Sequence, residues 1–288
     1  MKRRLFLTMF GAAAAASALP MLSGCSKEGG EQKAAAGGAD APAAQKADDL
    51  LAAVKKKGRL VIAMEGTWSP WTYHDEKGAL TGYDVAVGRK IAEAIGVEPE
   101  FVEGKWDGLL AGLDAGRYDI MVNGVGITEA RRAAYDFSEP YAFDRVAVIV
   151  LEKNDAIHSM ADLKGKHTAN TISSTYAEVA EKAGATVTGV DDLNQTFELL
   201  LSGRIDATIN SEVTFYDYKK AHPDAPIKIA CYVPGAGEIG IPLKKGAASD
   251  SLRQVVNETI DKLRASGELG KLSQEFFGVD ISTAKPAS

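Results

Sequence analysis

A short pattern that occurs twice limits the folds open to this chain more than any other feature. Ala115-Gly116-Arg117-Tyr118-Asp119 leads into Ile120-Met121-Val122-Asn123, and 87 residues further on Ser202-Gly203-Arg204-Ile205-Asp206 leads into Ala207-Thr208-Ile209-Asn210. In each copy a helical run stops at a Gly-Arg pair, an aspartate follows, and an apolar strand ends in asparagine. A glycine just past a helix supplies the left-handed residue that closes it. Helix and strand therefore alternate around both copies, which argues for an α/β chain with a mostly parallel sheet, built as two similar lobes. Ligands of open α/β sheets bind beyond the carboxyl ends of the strands. Two such sheets facing one another enclose a cleft, with Asn123-Gly124 and Asn210-Ser211 on opposite walls.

The remaining sequence fits that frame. Residues 48–57 pattern as a short helix closed by Gly58, 59–64 as a strand, and 72–80 as a hairpin around Glu76-Lys77-Gly78. The spacing of Val85, Val87, Ile91, Ala92 and Ile95 predicts a helix over 82–95 that ends at Gly96. A strand at 99–102 and a helix at 109–115 follow. After residue 142 the alternation restarts, with strands at 146–151, 166–172, 187–190, 205–209 and 227–233 and helices at 177–183, 193–201 and 249–266.

The amino terminus reads as a targeting segment. Lys2-Arg3-Arg4 precedes an apolar, alanine-rich run and then Leu22-Ser23-Gly24-Cys25. The run could nearly span a bilayer, but small residues before a cysteine favour a lipoprotein signal peptide over 1–24. Cys25 is then the acylated, palmitate-bearing residue, and 25–47, poor in aromatic and β-branched residues, is a flexible tether. Losing 1–24 removes three cations and no acid, so the net charge moves from −6 to −9. With no basic stripe, nucleic acid is excluded as a partner. The 45% hydrophobic and 25% charged composition suits a soluble globular protein outside that segment. Cys231 is the one other cysteine. With Cys25 lipidated it has no disulfide partner in the chain, and it reads as a small buried apolar residue.

Catalytic signatures are missing. The chain has no Gly-x-Ser-x-Gly elbow and no phosphate-binding loop, and His74, His158, His167 and His222 lack metal-ligand spacing. Gly235-Ala236-Gly237-Glu238-Ile239-Gly240 matches a dinucleotide fingerprint, but Pro234 before it and Ile241-Pro242 after it make it the start of a strand, not of a helix. No cofactor, metal or catalytic residue is expected. The positive signals are those of a binding site. Asn123-Gly124-Val125-Gly126 runs into a helix start with Thr128 as N-cap and Arg131 in the first turn. Free N–H groups and a guanidinium fork there suit a small anion, although a surface arginine at a strand–helix joint has the same sequence. Trp68 and Trp106 follow strands beside polar turns, where they either sandwich a ligand or simply pack. Ser173-Ser174-Thr175, before Tyr176, is either an N-cap run or a second set of donors facing Arg131.

Taken in order, Glu65-Gly66-Thr67-Trp68-Ser69-Pro70-Trp71, Gly82-Tyr83-Asp84-Val85, Lys105-Trp106-Asp107-Gly108, Ile127-Thr128-Glu129-Ala130-Arg131-Arg132, Asp136-Phe137-Ser138-Glu139-Pro140-Tyr141 and Asp162-Leu163-Lys164-Gly165-Lys166 resemble the solute-binding proteins (family 3) of polar-amino-acid ABC importers. Glu65-Gly66-Thr67 with Lys105-Trp106-Asp107-Gly108 is most similar to the cystine-type binders. The resemblance implies the type II periplasmic-binding-protein fold: two α/β lobes, a cleft between them, and two crossing hinge strands, expected at 142–145 and 231–236. Lobe 1 would be 48–142 with 236–280, lobe 2 143–235, and 281–288 a tail. It also implies that Arg131 clamps an α-carboxylate and that Gly126 and Thr175 offer it N–H groups. Gly124 would meet the α-ammonium through its carbonyl, Trp68 and Trp106 would stack on the side chain, and Glu65 would reach a polar side-chain group. Asn123, Ser174, Tyr176 and Ser211 would complete the lining.

Two departures matter. The family's second lobe usually pairs an aspartate with the α-ammonium, and Ser211 stands there. Serines are usual where Gly124 and Gly126 stand, so hydroxyl partners are lost and the pocket is expected to widen. The implied function is a monomeric, extracytoplasmic, lipid-anchored protein, in contact with a membrane through its anchor only, that captures a polar amino acid such as cystine or cysteine and delivers it to an ABC permease. The alternative is a periplasmic dehydratase-like enzyme on the same fold acting on a cyclohexadienyl acid, with Glu65 or Glu212 moving the proton. A third is a sensing module that signals through a separate partner.

Overall fold

The computed structural model describes residues 49–284. The expected signal peptide, the Cys25 lipidation site and the tether lie outside them, as do residues 285–288 of the expected tail. The first part of the fold runs α1 (Leu50–Lys57), β1 (Arg59–Met64), the hairpin β2 (Tyr73–His74) and β3 (Leu80–Thr81), α2 (Tyr83–Ile95), β4 (Glu98–Glu103), α3 (Trp106–Asp114), β5 (Ile120–Met121), α4 (Glu129–Ala134) and β6 (Tyr135–Phe137). Then come β7 (Ala142–Leu151), β8 (His167–Asn170), α5 (Thr175–Lys182), β9 (Thr186–Gly189), α6 (Leu193–Leu201), β10 (Ala207–Ser211), α7 (Glu212–Ala221), β11 (Ile227–Ile239), β12 (Pro242–Lys244), α8 (Asp250–Ala265) and α9 (Glu268–Phe277).

Two lobes form around two sheets. The first sheet is parallel, in the order β4-β1-β5. Every residue of β1 after Arg59 is buried, as a central parallel strand with both faces covered requires. Helices α2, α8 and α9 bring Val87, Ile91, Val256, Ile260 and Leu269 onto it. The second sheet has the order β11-β7-β10-β8-β9. It is mixed, which corrects the expectation of mostly parallel pairing: β8 is parallel to β9 and β10, but β7 is antiparallel to β10 and β11. Strands β7 and β11 pair from Leu151–Ile227 to Ala142–Ile239 with two register shifts. Ala142 and Ile239 belong to the first lobe's core, whereas Ala147, Ile149 and Ile227 belong to the second's. These two long strands therefore pass from one core to the other.

The repeated Gly-Arg-x-Asp pattern has a structural cause. Gly116 and Gly203 both sit at φ +70° and close α3 and α6. Each aspartate then clasps the neighbouring parallel strand at both ends of one residue. Asp119 N–H donates to Val61 O at 2.9 Å while its carboxylate accepts from Val61 N–H at 2.7 Å. Asp206 does the same to His167, at 2.8 Å in both directions. Lys57 adds an ion pair to Asp119 at 2.6 Å.

Helix α6 has the predicted limits. Helix α3 begins at Trp106, three residues before its predicted start, because Lys105 O takes Gly108 N–H and opens the first turn there. Helices α7 and α9 and the short pair β6–β12 are additions to the predicted elements. Among the described residues no helix is long and apolar enough to cross a membrane, and no cluster of His, Cys, Asp and Glu could hold a metal ion.

Candidate functional site

The carboxyl ends of four parallel strands converge on one cleft. Glu65 follows β1, Gly124 and Gly126 follow β5, Asn170 ends β8 and Asn210 lies near the end of β10, and all of them line a cavity of about 90 Å³. Strand ends in opposed sheets put backbone N–H groups, carbonyls and short polar side chains at the cleft. Trp68, Trp106, Arg131, Ser174, Thr175 and Tyr176 complete its wall among the predicted residues. Asn123 and Ser211 stand one layer back. Both are buried, and neither lines the cavity.

Arg131 sits at one end. Thr128 caps α4 by accepting Arg131 N–H at 3.2 Å, and the guanidinium folds over the Trp106 ring at 5.2 Å. Its Nη1 donates to Gly126 O at 3.0 Å and its Nη2 to Ser173 O at 3.2 Å. Burial weakens its hold on its proton, but an arginine stays charged. Gly126 bridges Ile239 in the antiparallel arrangement whose hydrogen bonds run through the flanking residues, Ile127 N–H to Glu238 O and Gly240 N–H to Val125 O. The Gly126 N–H therefore points away from Ile239, and it has no acceptor among the described residues. Across the cleft, Ser174 caps α5 by accepting Ala177 N–H at 3.1 Å. That leaves Thr175 N–H, in the first turn of α5, without an acceptor among the described residues. A guanidinium and free N–H groups from both walls are the donor set that a carboxylate can accept from.

Much of the remaining wall is aromatic. Trp68 and Trp106 are 8% and 6% exposed, so each is mostly core with one edge on the cleft. Trp68 stacks on Trp71 at 5.4 Å and meets Tyr176 edge-on at 6.3 Å. Gly124, at φ +52°, lies against it: a Cβ there would come within 2.6 Å of the indole. The missing side chain is thus filled by Trp68, and Gly124 does not widen the cleft as expected. At Gly126 the nearest atoms to such a Cβ are 3.7 Å away, so there the space is real. Tyr141 holds this turn, with its hydroxyl accepting Gly124 N–H at 3.3 Å and donating to the buried Asp84 at 2.7 Å.

Glu65 is clasped by Asn123, whose Oδ1 accepts Glu65 N–H and whose Nδ2 donates to Glu65 Oε2, both at 2.7 Å. Burial pushes its carboxyl up to about 7, against that hydrogen bond and with help from Asp192 and Asp107. A second carboxylate, absent from the predicted lining, is Asp144 on β7. It is 2% exposed, and burial raises it to about 7 as well. The Ser211 hydroxyl is close enough to ease the charge, yet neither it nor Asp144 Oδ1 makes a well-formed hydrogen bond among the described residues. Asn210 lines the cavity as expected of the far wall, whereas Val146, Asn170, Thr171, Leu193, Gly237 and Ile239 were likewise missing from the expected lining. Gly237, from the rejected dinucleotide match, faces Asp144 across the β7–β11 pair. Cys231 is half-buried with a free thiol, and it lies outside the cavity lining.

The walls also touch. Asp107 Oδ1 accepts Ser173 N–H at 3.0 Å and Oγ–H at 2.6 Å, Lys105 pairs with Asp191 at 2.6 Å, and Ser69 Oγ donates to Asp217 at 2.7 Å.

A sequence model of the bacterial extracellular solute-binding proteins, family 3, matches residues 60–279. The L-cystine-binding protein TcyA of Bacillus subtilis (strain 168) is 37% identical over 238 residues, covering 82% of this chain and 88% of its own. The L-cystine solute receptor of Neisseria gonorrhoeae, solved in the unliganded open conformation, is 40% identical, covers 82% of this chain and 100% of its own, and superposes with a TM-score of 0.57. An ancestral arginine-binding protein bound to arginine is 33% identical, covers 77% of this chain and 99% of its own, and superposes better, with a TM-score of 0.71.

Proposed function

The chain belongs to the bacterial extracellular solute-binding proteins, family 3, the amino-acid-binding components of ABC importers, and on that premise we propose that it is a lipid-anchored receptor for a polar amino acid, with cysteine and cystine first among the candidates. The observation that carries this reading is the Arg131 guanidinium beside the unpartnered N–H groups of Gly126 and Thr175. With Trp68, Trp106 and Glu65 also lining the cleft, it suits a small molecule that carries a carboxylate and a polar side chain. Lobe 1 comprises 48–142 and 236–280 and lobe 2 comprises 143–235, with β7 and β11 as hinge. The loaded, closed form passes the ligand to a permease, which is an equilibrium shifted by the ligand's preference for the closed state.

Calorimetry of the full chain against L-cysteine, L-cystine and the remaining amino acids tests the reading. Arg131→Ala is expected to weaken the bound ligand at least tenfold, and unchanged affinity would remove the clamp. Cys25→Ala is expected to release the protein from the membrane fraction of the producing cell. One observation favours the dehydratase-like alternative: a cleft carboxyl at about 7 is poised for proton transfer. Turnover of a cyclohexadienyl acid, lost in Glu65→Gln, would decide for that enzyme.

A further inference from the structure

The ligand's ammonium group needs a partner that Ser211 does not supply. Ser211 is fully buried behind the cavity wall, and its hydroxyl carries no charge. Two carboxylates do line the cavity, Glu65 and Asp144. They are not equivalent. Glu65 is engaged at its backbone N–H and at one side-chain oxygen by Asn123, and the charges it feels are Asp107 and Asp192. It also follows the same strand end as Trp68, which places it beside that indole. Asp144 has a buried oxygen, Oδ1, with no well-formed hydrogen bond among the described residues, and only neutral donors, the Ser211 hydroxyl and the Arg145 N–H, ease its charge.

Its surroundings also fit. Asp144 and Val146 lie two residues apart on β7 and share the face that lines the cleft, while Gly237 opposite contributes no side chain to block it. Ser211 pairs with Val146 in the adjacent strand. The carboxylate therefore reaches the cleft beside the position where the family's aspartate usually stands, but from the neighbouring strand. Tyr176 lies within electrostatic reach of Asp144, Arg131 and Glu65 alike, so the choice between the two carboxylates rests on the strand positions and on the unpaired oxygen of Asp144. A buried carboxylate without a charged partner is costly, and an ammonium ligand would reduce that cost by pairing with it.

We propose that Asp144, reaching the cleft from hinge strand β7, is the partner of the ligand's α-ammonium group, so that Arg131 and Asp144 together select zwitterionic α-amino acids while Glu65 reads the side chain. The assignment rests on the amino-acid reading above. It moves the charge contact from the body of the second lobe to the strand that connects the lobes.

The test is calorimetry on the full chain with L-cysteine and with 3-mercaptopropionate, the same molecule without its ammonium, run alongside the other amino acids and their des-amino acids. The unsubstituted chain is expected to prefer the amino acid at least tenfold. Asp144→Asn, which keeps the shape, is expected to lose that preference by weakening the amino acid and sparing the des-amino acid. Glu65→Gln is expected to lower both alike and keep the preference. Equal losses for both ligands in Asp144→Asn, or an intact preference, would overturn the assignment and leave the amino-acid reading standing. If the unsubstituted chain binds no amino acid, that reading falls and takes the assignment with it. A urea-unfolding curve of each variant guards against a misfolded sample, and Asp144→Glu, which keeps the charge, is expected to recover part of the preference.

Discussion

Asp144 gives the sharpest test of the electrostatics, because replacing it should stabilise the empty protein. Burial raises its carboxyl from 3.8 to about 7. The folded protein holds this proton more tightly than the unfolded chain does. The stabilisation from that proton is complete below the unfolded value near 4, and it is lost as the pH rises to about 7. One unit is worth about 1.4 kcal/mol, so ionising Asp144 costs the fold on the order of 4 kcal/mol at pH 8. Only part of this has been lost at pH 5. Asparagine has the same shape and does not titrate, so the stability of Asp144→Asn relative to the unsubstituted chain should rise by about 2–3 kcal/mol between pH 5 and pH 8. For a domain of this size that is roughly 5–10 °C in Tm. Urea denaturation of the ligand-free proteins at the two pH values measures the difference, and any fixed effect of the amide cancels. A gap that stays constant or shrinks toward pH 8 would refute the claim that burial penalises the charge on Asp144. Glu65 and Asp84, also raised to about 7 by burial, push the unsubstituted chain in the same direction.

Gly124→Ala should destabilise the fold by about 2–4 kcal/mol, through left-handed strain and the collision with Trp68, whereas Gly126→Ala should stay within about 0.5 kcal/mol; parallel urea curves compare them. Asp119→Ala should cost about 2–3 kcal/mol by stranding Val61 N–H and Lys57. Asp206→Ala, half-buried and without such an ion pair, should cost less in the same assay. Tyr141→Phe removes the donor from Asp84 and the acceptor from Gly124 N–H, so it should cost about 1–3 kcal/mol and weaken ligand binding in calorimetry, although Tyr141 is absent from the cavity lining.

Much of the cavity lining was legible because its residues follow strand ends in a fixed order. Trp68, Gly124, Gly126, Arg131 and Thr175 each sit beside a turn or a helix start that the sequence marks. Asp144 was not legible, since it precedes the apolar run of β7 and reads as one polar residue at the approach to a strand. Only the pairing of β7 with β11, which is set by contacts 93 residues apart at Asp144 and Gly237, turns it into the cleft. The mixed second sheet escaped for the same reason: helix–strand alternation reports neighbours along the chain, and the register of β7 against β11 is a long-range property. Helix α7 escaped because Val213, Thr214 and Phe215 are buried in succession, which blurs the helical period that revealed α2 and α6.

The contact between Gly124 and Trp68 limits the order in which this cleft can change. A serine at residue 124 would restore a hydroxyl to the wall, but its Cβ falls where the indole already lies. A smaller residue at 68 would clear that space and leave a void while glycine remains. Each single step passes through a poorer chain, and only the pair together reaches a filled wall of different chemistry. Laboratory selection for a new ligand that samples one substitution at a time should therefore leave these two positions untouched, and libraries that vary them jointly should be where altered specificity emerges.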